Sequence, residues 1–187
     1  KTFKDLASEL GMPYIASCDG VDLFYDGEYR GTYLLSEKNS VGKTSVTQAI
    51  MAGLKLAGPA HSSVKSYNNH IGVPLTVARM PRDTKRAVFE IGMNHADEIR
   101  PLSKLVRPHV ALINNVGPVH VENFADGEAG VARAKAEIFE GLEPDGIAII
   151  PNDSPHRDRL VRAARRYADR IVTFGTGDAD VHALHAC

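Results

Sequence analysis

The stretch Arg86–Gly117 reads RAVFEIGMNHADEIRPLSKLVRPHVALINNVG, and it decides the fold class. RAVFEIGM (Arg86–Met93) is a nearly unbroken apolar run of strand length, Ala96–Val106 reads as a helix, and HVALINNVG (His109–Gly117) is a second apolar strand. A strand that is apolar on both faces must be covered on both, and a helix between two such strands gives the chain room to return parallel. The alternation continues toward the C-terminus. Asp126–Glu140 reads as a longer helix with Val131, Ala134, Ile138 and Phe139 inward, and GIAIIPND (Gly146–Asp153) as a third strand. Pro155–Ala168 reads as an Arg-rich helix with a solvated outer face, and RIVTFGTG (Arg170–Gly177) as a fourth strand. The expected fold is α/β, a mostly parallel sheet with helices on both faces.

Each strand ends in polar or glycine residues: Glu90-Ile-Gly92, Asn114-Asn115, Asn152-Asp153 and Gly175-Thr-Gly177. Ligands of open α/β sheets bind outside the carboxyl ends of the strands, so these tips point to a shared site. Loop solvation accounts for Asn152 and Gly177. It accounts poorly for Glu90, which lies between Phe89 and Ile91 inside the apolar run.

Upstream, NSVGKTS (Asn39–Ser45) follows a candidate strand and precedes Lys43–Ala57, which reads as a helix. That is the setting of a phosphate-binding P-loop. Its backbone N–H groups and helix N-terminus would cradle phosphate, Lys43 would neutralise it, and the Thr44 hydroxyl would reach Mg²⁺. The strict pattern places glycine where Glu37 stands. An ordinary helix N-terminus with an exposed lysine is the alternative.

The chain has 187 residues, 43% hydrophobic and 24% charged, the balance of one globular domain or of one domain plus a fragment. A net charge of -1 gives no general attraction to nucleic acid or anionic membrane. No apolar run reaches the roughly 18 residues of a membrane span. Charges in Lys1–Gly11 argue against a signal peptide. Cys18 and Cys187 have no metal-type spacing, so the expectation is a reduced, cytoplasmic protein. Nothing in the sequence sets an oligomeric state. Composition is uneven along the chain. Residues 1–38 hold six of the twelve aromatics and a net charge of -3, against +2 for the remainder. In this first part a short helix around Phe3, Leu6 and Leu10 leads to a hairpin, with VDLFY (Val21–Tyr25) and EYRGTYLLSE (Glu28–Glu37) flanking Asp26-Gly27. The expected division is 1–38 and 39–187.

Residues 40–186 resemble the central, ATP-binding domain of the Mur ligases, a P-loop NTPase-like fold. The stretches that carry the resemblance are SVGKTS (Ser40–Ser45), YNNHIGVPLT (Tyr67–Thr76), FEIGMNHADEI (Phe89–Ile99), RPHVALINNVGPVHVENF (Arg107–Phe124) and RAKAEIFEGL (Arg133–Leu142). The resemblance implies that Ser40, Val41, Gly42, Lys43, Thr44 and Ser45 bind ATP, with Asn115 contacting nucleotide or capping a turn. It implies metal roles for Thr44, Glu90 and His120. It also implies one for Lys135, matching a lysine that the family carbamylates into a carboxylate-like group able to hold a second Mg²⁺. Lys43, Lys135 and His120 would be catalytic, and Asn68, Asn69, Asn94 and His95 would line the substrate side. The residues themselves leave alternatives open: Lys135 as a solvated helix lysine, His120 as a loop histidine satisfied by backbone. The implied chemistry is amide-bond formation in peptidoglycan precursor synthesis. ATP activates the carboxylate of a UDP-MurNAc-peptide as an acyl phosphate, which the amine of D-Ala-D-Ala attacks.

The loop departs from the family pattern at Lys38 and Asn39. The LGMPYIASCDGVDLFYDGEYRGTYLLSEKN segment instead resembles part of the CotH-like atypical kinases, without a kinase catalytic set after it. The family's N-terminal, UDP-holding domain and its C-terminal domain are expected to be absent, so complete turnover by this chain alone is not expected. An ATP-binding module without catalysis, an inert chimera, and a kinase fragment are the rival readings. One structural expectation follows: Thr32–Ser36 supplies the strand that should precede the loop.

Overall fold

The computed structural model describes residues 32–36, 40–41, 44–63 and 67–182. The expected N-terminal helix, most of the hairpin, and Gly42-Lys43 lie outside the described residues.

Six strands form one sheet: β1 (Thr32–Ser36), β4 (Ala60–Ser62), β5 (Arg86–Ile91), β6 (Val110–Ile113), β7 (Ile147–Pro151) and β8 (Arg170–Phe174). Their order is β4-β5-β1-β6-β7-β8, and every pairing is parallel. β1 lies in the middle, with Leu35 opposite Glu90 on one side and Leu112 on the other. Thr32–Ser36 thus supplies the strand before the loop, as its sequence suggested.

Ser40–Val41 (β2) and Thr44–Ser45 (β3) form a separate antiparallel pair, and helix α1 spans Val46–Leu56. The helix expected from Lys43 therefore starts three residues later. Ser and Thr favour extended or capping backbone over a helix interior, which suits the extended Thr44-Ser45.

Parity along the strands sorts the core. Ala87, Phe89, Ile91, Ala111, Ile113, Ala148 and Ile150 face one side. There they meet Val73 from α2 (Gly72–Ala78), Ile99 and Leu102 from α3 (Ile99–Val106), Val131 and Ala134 from α4 (Glu128–Ala136), and Leu160 from α5 (Arg157–Ala164). Val88, Val110, Leu112, Ile147 and Ile149 face the other side and meet Ile50, Met51 and Leu54 of α1. Each such aliphatic burial stabilises the fold by about 1.5–3 kcal/mol relative to exposure. Glu90 shares parity with Val88, so it faces α1.

The long helix expected over Asp126–Glu140 divides into α4 and a 3-10 turn, Glu137–Gly141. The tighter turn accompanies close packing on α3. A Cβ on Gly141 would stand 2.2 Å from the Ser103 carbonyl oxygen, and Ser103 Oγ donates to Ile138 O at 2.5 Å. The three-residue β4 and α2, which carries Pro74 within its first turn, had no sequence expectation.

Candidate functional site

The carboxyl ends of β5, β1 and β6 lie side by side, and the loops leaving β5 and β6 build a cleft of about 700 Å³ beside them. Glu90, one residue before the end of β5, is only 5% exposed. Because it faces α1, its Oε2 accepts the Thr47 hydroxyl at 3.1 Å. Its Oε1 accepts Asn68 Nδ2 at 3.2 Å. Both partners are neutral, so a buried carboxylate stands at the strand tip with no cation paired to it among the described residues. Such a charge is costly without a compensating cation.

Gly92 lets Asn68 reach Glu90. Gly92 N donates to Asn68 O at 2.8 Å, and a Cβ on Gly92 would stand 2.8 Å from Asn68 Nδ2. Gly92→Ala is therefore expected to keep the fold while pushing the carboxamide off Glu90. The expected cost is about 1 kcal/mol in chemical denaturation, one hydrogen bond's worth. An unchanged unfolding midpoint would show that the close approach is not needed.

Lys135 has no solvent exposure. It lies on α4, where Ala132, Ala134 and Ala136 are buried as well. Its Nζ donates to the carbonyl of Asn115 at 2.8 Å, at the end of β6. The solvated-lysine alternative is overturned.

Asn68, Asn69, Asn94 and His120 line the cleft together. His120 is held in the left-handed region, φ 61°, with its side chain 37% exposed and Nδ1 4.0 Å from Glu122. Asn69 Oδ1 accepts the N–H groups of Ile71 and Gly72 at the start of α2. Glu98 organises the loop after β5. Its Oε2 accepts Asn94 N at 2.7 Å and His95 N at 3.3 Å, and its Oε1 meets His95 Nδ1 at 3.2 Å. Asn123 Nδ2 donates to Asn94 O at 3.0 Å, which ties the two loops across the cleft. His95 thus sits behind the lining residues, bound to Glu98. Glu90 joins the cleft through Asn68, whereas Lys135 and Asn115 meet each other and are not among its lining residues. Ser40, Val41, Thr44 and Ser45 are described in backbone alone.

Sequence reading missed Thr47, Glu98 and Glu137. Thr47 did leave a signal: it is the one polar residue on the buried stripe of α1. Among the described residues, no group of three or more His, Cys, Asp or Glu side chains is placed to hold a metal ion. Nor is any described helix long and apolar enough to cross a membrane.

The two glutamates shift in opposite directions. The Asn94 backbone N–H is the main cause holding the Glu98 carboxyl below the ordinary range, with His95 adding to it. Burial pushes Glu137 up, against the N–H groups of Asp97 and Arg100. A depressed carboxyl contributes order above its unfolded value and loses it as pH falls through the folded one. The Asn94 and His95 amide signals are therefore expected to titrate together in acid, with a midpoint below that of a free glutamate. A midpoint at or above the free value would overturn the Glu98 arrangement.

The family profile described as Mur ligase middle domain matches residues 40–186. The UDP-N-acetylmuramoyl-tripeptide–D-alanyl-D-alanine ligase of Bacillus subtilis (strain 168) is 40% identical over 147 residues, 79% of this chain and 31% of the relative. The Haemophilus influenzae (strain ATCC 51907 / DSM 11121 / KW20 / Rd) protein of the same name is 42% identical over 150 residues, 78% of this chain and 32% of its own. A crystal structure of MurF from Acinetobacter baumannii superposes with a TM-score of 0.74 at 34% identity, covering 82% of this chain and 32% of that one. MurF ligase from Thermotoga maritima in complex with ADP gives a TM-score of 0.63 at 26% identity, covering 82% and 35%. The chain spans about a third of the length of these relatives. A parallel sheet with a buried glutamate at one strand tip and a buried lysine beside the next, matched along 40–186, places the chain in the Mur ligase middle domain family.

Proposed function

We propose that this chain is the ATP- and Mg²⁺-binding part of an amide-bond-forming ligase of peptidoglycan precursor synthesis. The ligase would join D-Ala-D-Ala to a UDP-MurNAc-tripeptide in the cytoplasm. The observation that carries this reading is the buried Glu90 carboxylate, held by Thr47 and Asn68 at the tip of β5. The relatives' names and the ADP in the Thermotoga maritima neighbour support it.

The residues present fit a magnesium ion. Glu90 offers a hard oxygen donor whose two described partners are neutral, so no charge among the described residues balances it. Glu90 would hold the ion together with Thr44 and His120, and with Lys135 if it is carbamylated. The ion would supply charge neutralisation on the transferred phosphoryl group. The chain's own work is positioning. Ser40–Ser45 and Lys43 would hold the phosphates, and Asn115 would contact the nucleotide. Asn68, Asn69 and Asn94 would face the peptide, with Asn69 contributing its Nδ2 because its Oδ1 is engaged by α2, and His95 would act on that side through Glu98. The γ-phosphoryl group passes from ATP to the peptide carboxylate, leaving ADP and an acyl phosphate. The amine of D-Ala-D-Ala then displaces phosphate.

The division into 1–38 and 39–187 is proposed as one of sequence origin. β1, from the first part, serves the sheet of the second. The test is ADP release from Mg-ATP with and without UDP-MurNAc-tripeptide. Release that depends on the tripeptide supports the ligase reading. ATP binding without it would leave a non-catalytic module. Absence of Mg-ATP binding at millimolar concentration would sink both, and phosphate transfer to protein hydroxyls would favour the kinase reading.

A further inference from the structure

We propose that Glu137 is a positioning residue: it holds the Asn94–Glu98 loop in shape for the UDP-linked peptide, and so ties that side of the cleft to the turn that follows Lys135. The role in substrate binding rests on the function proposed above.

Glu137 opens the 3-10 turn directly after α4 and is 6% exposed. Its side chain leaves its own helix and crosses to α3. Oε1 accepts Asp97 N at 2.7 Å, and Oε2 accepts Arg100 N at 3.1 Å. Two features of the receiving segment call for such an acceptor. The first is the strain at Asp97, a non-glycine residue with φ 67°. That conformation persists only when its surroundings hold it. The second is the start of α3. The first N–H groups of a helix need acceptors from outside it. Glu98, at the N-cap position, makes no side-chain cap bond. Its carboxylate is turned back onto Asn94 and His95 instead. Glu98 shapes the loop, and Glu137 takes over the cap.

These contacts form one path. The turn after Lys135 holds Asp97 and Arg100. Asp97 and Glu98 line the cleft. Glu98 fixes Asn94, and Asn94 receives Asn123 from the loop after His120. Arg100 is braced from the same turn by Glu140, at 2.8 Å, and by Asp97. A shift of the Lys135 segment therefore cannot leave the cleft loop where it stands.

The test is amide hydrogen exchange on the whole chain, comparing wild type with Glu137→Ala and Glu137→Gln. Loss of a hydrogen bond to a charged acceptor should speed exchange at Asp97 and Arg100 by at least about tenfold in Glu137→Ala. Exchange at Asn94 and His95 should follow, while Val88 and Ala111 in the sheet stay protected. Glu137→Gln keeps one acceptor oxygen and should restore part of the protection. Affinity for UDP-MurNAc-tripeptide should fall about tenfold, with Mg-ATP affinity within about twofold of wild type. Unchanged exchange at residues 94–100, or equal acceleration in the sheet, would overturn the positioning role. If the wild-type chain does not bind the tripeptide, the proposed function fails, and the exchange pattern still decides whether Glu137 holds the loop.

Discussion

Replacing Lys135 with alanine is expected to lower the free energy of unfolding by about 3 kcal/mol, the sum of a lost buried stem and a lost charged hydrogen bond. Lys135 is fully buried, and its Nζ donates to Asn115 O at 2.8 Å. The alanine would leave a void where the fully buried stem stood. For a chain of this size the loss corresponds to a fall in Tm of about 6–12 °C. Lys135→Met separates packing from charge. Methionine fills a similar volume, and Asn115, an exposed residue, can turn its carbonyl to water. Its stability should stay within about 1.5 kcal/mol of wild type. Both variants should lose tripeptide-dependent ADP release by at least about a hundredfold, because both remove the amine that carbamylation would modify. A methionine variant that retains release would remove Lys135 from the mechanism. An alanine variant as stable as wild type would contradict its burial.

Glu90→Gln is expected to separate stability from nucleotide binding. Glu90 is a buried carboxylate held by two neutral donors, Thr47 and Asn68. Glutamine can keep both bonds. Its oxygen accepts Asn68 Nδ2, and its amide donates to the Thr47 hydroxyl, which turns to accept. Removing the charge without losing the bonds should leave stability unchanged or raise it by about 1 kcal/mol. The Mg²⁺-dependent affinity for ATP should nevertheless fall by about a hundredfold, since the variant's oxygen carries no charge toward the metal. Thermal unfolding and titration calorimetry on the same sample read both quantities. A variant that binds Mg-ATP as wild type does would show that Glu90 holds no metal, and a large loss of stability would show that its charge is balanced within the fold.

The sheet was legible because its strands are apolar on both faces, which needs no long-range information. RAVFEI, VALI and IAIIP announce themselves one residue at a time. Glu90 was legible for the same reason, as a charge where the pattern forbids one. β4 was not, because Ala60–Ser62 is too short to show a period. The start of α1 was placed early because Lys43 belongs to a motif that usually opens a helix. Thr47 stands out as the polar residue on the apolar stripe of α1, but only the register between α1 and β5 makes it a partner of Glu90. Glu137 passed unremarked inside the helix expected over Asp126–Glu140, because its partners Asp97 and Arg100 lie far away in the sequence. Contacts between elements are a property of the assembled layers, and no local pattern encodes them.

The central place of β1 has a consequence for biosynthesis. Among the described strands of the sheet Thr32–Ser36 leaves the ribosome first, yet its neighbours are Ala87–Ile91 on one side and Val110–Ile113 on the other. During that interval neither of its two partners in the sheet exists to pair with it, and an unpaired edge is a template for pairing with a foreign chain. The nascent protein is thus most exposed to misassembly between the synthesis of its first strand and that of Ile113, and a chaperone that shields TYLLS over that window would act where the need is greatest.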